Sequence, residues 1–546
     1  MSLVNTALVL VALFLFFIFI GVGYLIWLYA KTYRIDKKQT QHSIRRNFPV
    51  VSRIRYIAEQ ISPEIKQYFI DGDNEGKPYS RLDFQLIVRF AKYAKNVISF
   101  GSKRDFEKSG FYIRNAFFAK QISDLEADNE NLIDSHKYIE TKVKEKDVQK
   151  ERYKELIFPK REQFVPTKLK PWLYLDRDAV VIGENCKYPM VLKSPIGMSG
   201  MSYGALGSHA IQALGYGLKD ANSFMNTGEG GISPHHLKTG VDLICQIGPA
   251  KFGFRNPDGT FSWEELRKKA ELPQVKAFEI KLGQGAKIRG GHIEASKVTP
   301  EIAEIRGVEP WTSIDSPNRF EEFDNYPSMF EFIERIRKET GKPVGIKIVI
   351  GGEDTFDEFV KYMKENNRYP DFLTIDGGEG GTGATYRSMA DSVGLPIKPA
   401  LMIAQEVLLR YGVRNQLKIL ASGKLFTPDK IAIALSMGAD AVLVARAMMI
   451  AVGCIGAEKC ASGECPVGVA TNDPRLQRAL VVEEKRYRVT NYITTLREEL
   501  FMLSASAGLT SPKQFNESHV VYVDDKFQVK TLKQLKKNEP KESLVS

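Results

Sequence analysis

With 546 residues, 26 % of them charged and 43 % hydrophobic, the chain has ordinary globular composition and is neither disordered nor collagenous. Its formal net charge of +11 suits an anionic lipid surface or scattered surface lysine; no nucleic-acid motif accompanies it, so no nucleic-acid partner is expected. Five cysteines are too few for a disulfide framework at this length, and three of them, Cys454, Cys460 and Cys465, are bunched as in metal or cluster ligation in a reducing compartment.

From residue 1 to 30 there is no charged side chain, and residues 8–28 are almost wholly Leu, Val, Ile, Phe and Ala. That run is long enough to cross a bilayer as one helix. Tyr24, Trp27 and Tyr29 stand at one end, where aromatic rings prefer the interface, and Lys31, Arg34, Lys37 and Lys38 follow at once. The positive-inside bias then puts the N-terminus outside and everything after Lys31 in the cytoplasm. A cleaved signal peptide fits poorly, because there is no basic leading region, the apolar run is too long and no small-residue cleavage site ends it. The expected layout is a single-pass cytoplasmic-membrane anchor over 1–30, a helical region over 31–170, a barrel over 171–509 and a short tail over 510–546.

Residues 40–120 alternate apolar and basic positions at helical spacing, as in 61–69 and 82–94. The Lys- and Glu-rich run 142–155 reads as a solvated helix face or hairpin. After Pro171 short apolar runs alternate with amphipathic stretches. Strands are expected near 190–196, 223–226, 243–247, 277–282, 344–350, 372–375, 417–421 and 441–444. Helical patterns separate most of them, such as 328–340, 356–366, 397–411 and 428–437. Eight strands alternating with helices predict an α/β chain folded as a (β/α)8 TIM barrel. The doubly wound alternative lacks a G-x-G-x-x-G after its first strand.

Barrel enzymes carry their chemistry on the loops that follow the strands. Those loops are glycine-rich here: GMSGMSYG at 197–204, NTGEGG at 226–231, QGAK at 284–287, DGGEGGTG at 376–383, then 422–424 and Arg446. Glycine in such density lets a backbone approach a flat ring or a phosphate. The cysteines follow as C-x5-C-x4-C-P from Cys454 to Pro466. Thiolates bind iron–sulfur clusters, and three without a fourth nearby favour a three-iron cluster over a four-iron one. Zinc would want a fourth Cys or His close by, and three buried free thiols are the plain alternative. Cys186 and Cys245 are isolated and read as core.

Together these segments resemble the FMN-binding domain of glutamate synthase, in order from about Lys193 to Leu509. The stretches that carry the likeness are SGMSYGALG (199–207), NTGEGGISP (226–234), EIKLGQGAK (279–287), KVTPEIAEIRG (297–307), GGEGGTGA (377–384) and GCIGAEKCASGECPVGVAT (453–471). The whole layout, anchor included, looks like the stand-alone FMN-binding glutamate synthase family. The resemblance implies FMN in a barrel, with Cys454, Cys460 and Cys465 holding a 3Fe-4S cluster fed by a donor such as ferredoxin. It also implies hydride transfer to 2-iminoglutarate formed from 2-oxoglutarate and ammonia, giving L-glutamate. Lys287 and Arg306 then match residues that hold the 2-oxoglutarate carboxylates, and Glu229 orients substrate or ammonia. Gln284 and Lys347 face the flavin ring. Ser422, Gly423, Ala445 and Arg446 cradle the phosphate through backbone N–H groups. Ser199, Gly200, Met201, Asn226, Gly380, Gly381, Thr382 and Gly383 complete the flavin contacts.

The chain departs from the family after Lys287, where Ile288-Arg289-Gly290-Gly291-His292 replaces a longer Pro-Gly-Glu-Gly-Gly-Gln and His292 falls where a substrate-contacting Gln is expected. That departure leaves open a different amine, giving an N-alkylglutamate, or an electron-transfer subunit without glutamate formation. No glutaminase cysteine precedes the barrel and no second nucleotide-binding motif follows it, so ammonia is expected free or from a separate protein.

Overall fold

The computed structural model describes residues 3–139, 162–285, 287 and 290–537. The charged run 142–155, Ile288, Arg289 and the lysine-rich end lie outside the described residues. The chain divides into two compact units, Met1–Asp83 and Phe84–Ser546.

In the first unit the apolar run forms one helix, Leu3–Lys38, which extends the expected 1–30 by two turns into the basic residues. Its Leu, Ile and Phe side chains are exposed all round, and a 31-residue segment, Leu8–Lys38, is apolar enough to cross a membrane. Two further helices, Ser43–Asn47 and Arg53–Ile65, follow it, the second running on through Lys66–Ile70.

The second unit is built on eight parallel strands closed into a barrel. They are β1 Ile196–Met198, β2 Phe224–Asn226, β3 Asp242–Ile247, β4 Val275–Lys281, β5 Val344–Ile348, β6 Phe372–Asp376, β7 Lys418–Ser422 and β8 Ala441–Val444. Helices alternate with most of them, including Ser208–Asp220, Tyr326–Thr340, Glu353–Asn366, Ile397–Arg410 and Pro428–Ser436. The local chemistry of these helices explains their bounds. Asn325 accepts from the backbone N–H of Ser328 at 2.9 Å to start Tyr326–Thr340, and Gly341 ends it at φ 67°.

One expected strand proves to be two. The run 190–196 breaks at Ser194-Pro195, because proline cannot donate to a ladder. Its first half, Met190–Leu192, pairs antiparallel with Val180–Ile182, and only Ile196 onward enters the barrel. That hairpin buries Val180, Ile182, Met190 and Leu192 with Trp172, Tyr174 and Phe501 in the core cluster that takes in barrel residues Phe224 and Phe372. Each such side chain contributes about 1.5–3 kcal/mol.

The expectation of a helical region over 31–170 is corrected. Helix ends at Tyr93, and strands Gly110–Ile113, Ile133–Ile139 and Gln163–Leu169 follow. The last two form a hairpin ladder in which Ile133 pairs with Leu169 and Ile139 with Gln163. Once folded, burial alternates with period two over Ile133–Ser135 and Phe164–Leu169. The C-terminal tail is ordered as well: Val520–Val523 and Val529–Thr531 add to Gly110–Ile113 as a three-stranded sheet.

Candidate functional site

Strand parity decides which side chains meet at the C-terminal mouth of the barrel. Glu279 and Lys281 are two apart on β4 and so share a face. Glu279 is fully buried and reached by β2, β3 and β6 together. Asn226 donates to its Oε1 at 2.8 Å and Gln246 at 2.6 Å, and the Thr374 hydroxyl donates to Oε2. These bonds cross the barrel, so they fix Asn226, whose own Oδ1 accepts from the Gly228 N–H at 2.9 Å.

Above that floor stands a group of charges. Lys281 Nζ lies 2.9 Å from Glu229 and 2.9 Å from Gln284 Oε1. Lys287 pairs with the same Glu229 oxygen. Lys347, Lys281's partner in the β4–β5 register, lies 3.3 Å from Asp376, which also accepts from the Gly285 N–H at 3.0 Å. Arg306 is 2 % exposed, donates to the Tyr203 carbonyl at 3.2 Å and leaves its Nε without a partner. A small recess opens beside Glu229, Lys281, Lys287, Gly290 and Asn318.

The electrostatics follow from burial and neighbours. Burial alone would raise the Glu229 carboxyl, but Lys281 and Lys287 outweigh it and hold it far below the usual carboxylate range. Burial pushes Lys281 down to about 7; Glu229 opposes this, while Lys287 and Lys347 add to it. Burial lowers Arg306 to about 10, against the pull of Glu229, so it stays a cation. The arrangement presents an ionised carboxylate, fixed cations and one lysine poised near neutrality.

The glycine loops surround this group. A Cβ on Gly200 would lie 2.9 Å from Asn226 Oδ1, and one on Gly381 would lie 2.6 Å from the Arg446 guanidinium. Gln284 donates to the Gly381 carbonyl at 3.2 Å, and Arg446 donates to the Glu379 carbonyl at 2.7 Å. Ser199 and Ser422 hydroxyls meet at 3.3 Å across β1 and β7. Ser199, Gly200, Met201, Asn226, Gln284, Lys347, Gly380, Gly381, Thr382, Gly383, Ser422, Gly423 and Ala445 thus sit on loops or strand ends at this mouth, and Arg446 opens the helix that follows β8. Backbone bared at such positions can approach a flat ring or a phosphate.

The cysteine loop leaves β8 after the helix Arg446–Ala451. It touches the β6 loop, since a Cβ on Gly383 would lie 3.3 Å from Cys460 Cβ. The thiols influence one another: burial first, then Cys460 and Cys465, raises Cys454 to about 11, and burial first raises Cys460 against the pull of Lys297. Among the described residues no three His, Cys, Asp or Glu side chains converge as ligands of one metal ion. Lys297, on the segment that also carries Arg306, bonds the Cys460 carbonyl and pins the loop.

The structure brings Lys287, Glu229, Arg306 and Lys347 to one mouth. His292 follows on the same loop, and its backbone N–H bonds the Ala384 carbonyl. That imidazole faces Asp315 at 2.9 Å on a short antiparallel bridge, and the bond to Asp315 raises its pKa. Lys281, Glu279, Gln246, Asp376 and Lys297 are additions that the sequence reading lacks. A signal for two of them exists, because Glu279 and Lys281 are charged residues inside an otherwise apolar strand run.

Comparison with known proteins places these features in context. A family model described as the conserved region in glutamate synthase matches residues 127–510. The glutamate synthase large subunit-like protein YerD of Bacillus subtilis (strain 168) is 51 % identical over 498 residues, covering 91 % of this chain and 92 % of its own. The archaeal glutamate synthase (NADPH) of Methanocaldococcus jannaschii is 32 % identical over 331 residues, 59 % of this chain and 60 % of its own. Among solved structures, a flavocytochrome b2 with sulfite bound aligns with 61 % of this chain and 70 % of its own at 15 % identity and a TM-score of 0.40.

Proposed function

Because this chain belongs to the glutamate synthase family of oxidoreductases, we propose that it reductively aminates 2-oxoglutarate to L-glutamate, using FMN in the barrel mouth and a 3Fe-4S cluster on Cys454, Cys460 and Cys465. The observation that carries the reading is the Lys281–Glu229–Lys287 group beside buried Arg306. Two carboxylates on a five-carbon diacid want two cations, and among the described residues Arg306 Nε has no partner and Lys287 pairs with Glu229.

The glycine loops fit a flavin. The backbone at Ser422, Gly423, Ala445 and Arg446 would hold its phosphate, Gly380, Gly381, Thr382 and Gly383 its edge, and Gln284 and Lys347 its ring. The three thiols are soft donors of the kind that hold iron–sulfur clusters. When bound, the flavin supplies the hydride and the cluster one-electron steps from a donor such as ferredoxin.

The remaining chemistry falls to side chains. Arg306 and Lys287 anchor the diacid and so fix its C2 carbonyl. Glu229 directs ammonia onto C2, and Lys281 supplies the proton that lets the carbinolamine hydroxyl leave as water. The resulting iminium would take the hydride at C2 and become glutamate without a further proton at carbon. Lys281 suits this role because it can hold or release a proton near neutral pH. The cluster loop's contact with Gly383 supports a short electron path.

The test is mass spectrometry of the product from 2-oxoglutarate, labelled ammonium and reduced ferredoxin. Labelled glutamate is expected. A labelled N-methylglutamate from methylamine, with no glutamate from ammonium, would favour the N-alkylglutamate alternative, which the altered loop after Lys287 also supports. Cys460→Ser is expected to abolish iron and ferredoxin-driven turnover while FMN stays. Zinc in place of iron in the wild-type protein would overturn the cluster. The helix Leu3–Lys38 is proposed to anchor the chain in the cytoplasmic membrane with the barrel in the cytoplasm.

A further inference from the structure

The first unit carries an amphipathic helix whose apolar face is covered by none of the described residues. In Arg53–Ile65, the residues Ile54, Ile57, Ile61 and Ile65 recur at spacings of three and four, which puts them on one stripe. Tyr68 continues the stripe into Lys66–Ile70. No residue of either segment is buried, and the isoleucines are 40–68 % exposed. A stripe of this kind on a helix that covers no core needs a partner.

The chain before this helix is held in a fixed turn. Asp36, in the last turn of Leu3–Lys38, is 1 % exposed. It accepts from Arg53 Nη2 at 2.7 Å, from Arg53 Nε at 2.9 Å and from the Val50 N–H at 2.9 Å. Val50 sits at φ 67°, a left-handed conformation that a β-branched residue adopts only under constraint. The bidentate pair supplies that constraint and starts the striped helix at the base of the apolar one. Between residues 31 and 66 there are nine Lys and Arg against three Asp and Glu. That charge is complementary to an anionic headgroup layer and repels a second copy of the same segment.

We propose that the helical run Arg53–Ile70 lies in the headgroup layer of an anionic bilayer, with its isoleucine stripe toward the acyl chains and its basic residues among the lipid phosphates. This inference rests on the membrane-anchor reading of Leu3–Lys38, since the clamp at Asp36 ties the stripe to that helix. Its occupant is the lipid surface itself. A helix with one apolar stripe and a charged remainder binds in the plane of an interface and does not cross it.

Hydrogen–deuterium exchange of the full chain tests this, in nanodiscs of zwitterionic lipid, in nanodiscs containing anionic lipid, and in detergent. Amides of 54–70 are expected to exchange more slowly in the anionic discs than in the other two, with 8–28 protected in both discs. Ile57→Asp with Ile61→Asp is expected to lose the slowing at 54–70 while 8–28 stays protected, and Ile57→Leu with Ile61→Leu to keep it. Asp36→Asn is expected to reduce it. Equal exchange at 54–70 in all three settings, with 8–28 protected, overturns the inference and leaves the anchor standing. Unprotected 8–28 in discs overturns both. Slowing that appears in detergent overturns it too: if the slowing grows with protein concentration the stripe belongs to a second copy, and if it does not, to another part of the chain.

Discussion

Lys281 is the residue on which the proposed chemistry turns. Its ammonium sits between Glu229 and Gln284 at 2.9 Å each, and burial brings it down to about 7. Below that pH it is a proton donor; above it the donor population falls about tenfold per pH unit. Turnover is therefore expected to decline as pH rises through about 7. Lys281→Met is expected to cut kcat by about 10²–10⁴-fold and to remove that decline, with flavin content unchanged. A pH–rate profile beside a flavin spectrum checks both. The same shift has a stability consequence. The unfolded lysine titrates near 10.5, so between about 7 and 10.5 the unfolded chain holds a proton that the folded chain lacks, and stability rises with pH across that window. The residue was within reach of sequence reasoning. A lysine inside an apolar strand run must face either the barrel interior or the helices, which marks Lys347 and Lys281 alike, and the in-register pairing of the two shows why both point to the mouth. Arg446 teaches the converse. Its position beside Ala445 suggests only backbone, yet its guanidinium crosses to the Glu379 carbonyl, a contact no local pattern encodes.

At the scale of elements, the long helix Val482–Ser506 ties the barrel to the strands before it. Asn491, 1 % exposed, accepts from Ser135 at 2.7 Å and donates to the Ala91 and His136 carbonyls at 2.9 Å each. Asn491→Leu strands those three groups without partners and is expected to cost about 2–4 kcal/mol, read as a lower denaturation midpoint. The barrel strands are legible in the sequence because most are short apolar runs with glycine or a charged residue at or just past the mouth end. The strands at 133–139 and 163–169 are not, because their Lys, Gln and Thr residues give a half-exposed pattern that resembles a polar helix. The first of them is also held from far along the chain, through Asn491 on a helix more than 300 residues away. The glycine loops show a further limit. Gly285 is tolerated where a Cβ would strike the Gly377 carbonyl, a collision between β4 and β6 loops that only the closed barrel creates. Gly285→Ala is expected to displace the QGAK loop and lower FMN occupancy, measured by absorbance against protein.

For the whole molecule, the decisive feature is the asymmetry between its two units. One offers a long exposed apolar helix; the other is a closed barrel with a polar, charged mouth. The uncharged stretch over residues 8–28 gives a helix about 31 Å long, against about 30 Å of bilayer hydrocarbon, so it can cross without marked tilt. Burying its Leu, Ile, Val and Phe side chains at about 1.5–3 kcal/mol each far exceeds what salt or alkali can reverse. The full chain is therefore expected to stay in the membrane fraction through an alkaline carbonate wash and to be released by detergent. Orientation follows from charge. On the anchor reading, Lys31, Arg34, Lys37 and Lys38 at the end that leads to the barrel favour a barrel on the cytoplasmic side. Protease added to intact spheroplasts is expected to leave residues 84–537 uncut, and protease added to inverted vesicles to reach them. Carbonate release of the uncut chain would mean that the helix does not span. Cleavage of the barrel from the outer face of sealed spheroplasts would reverse the orientation and, with it, exclude a cytoplasmic ferredoxin as the electron donor.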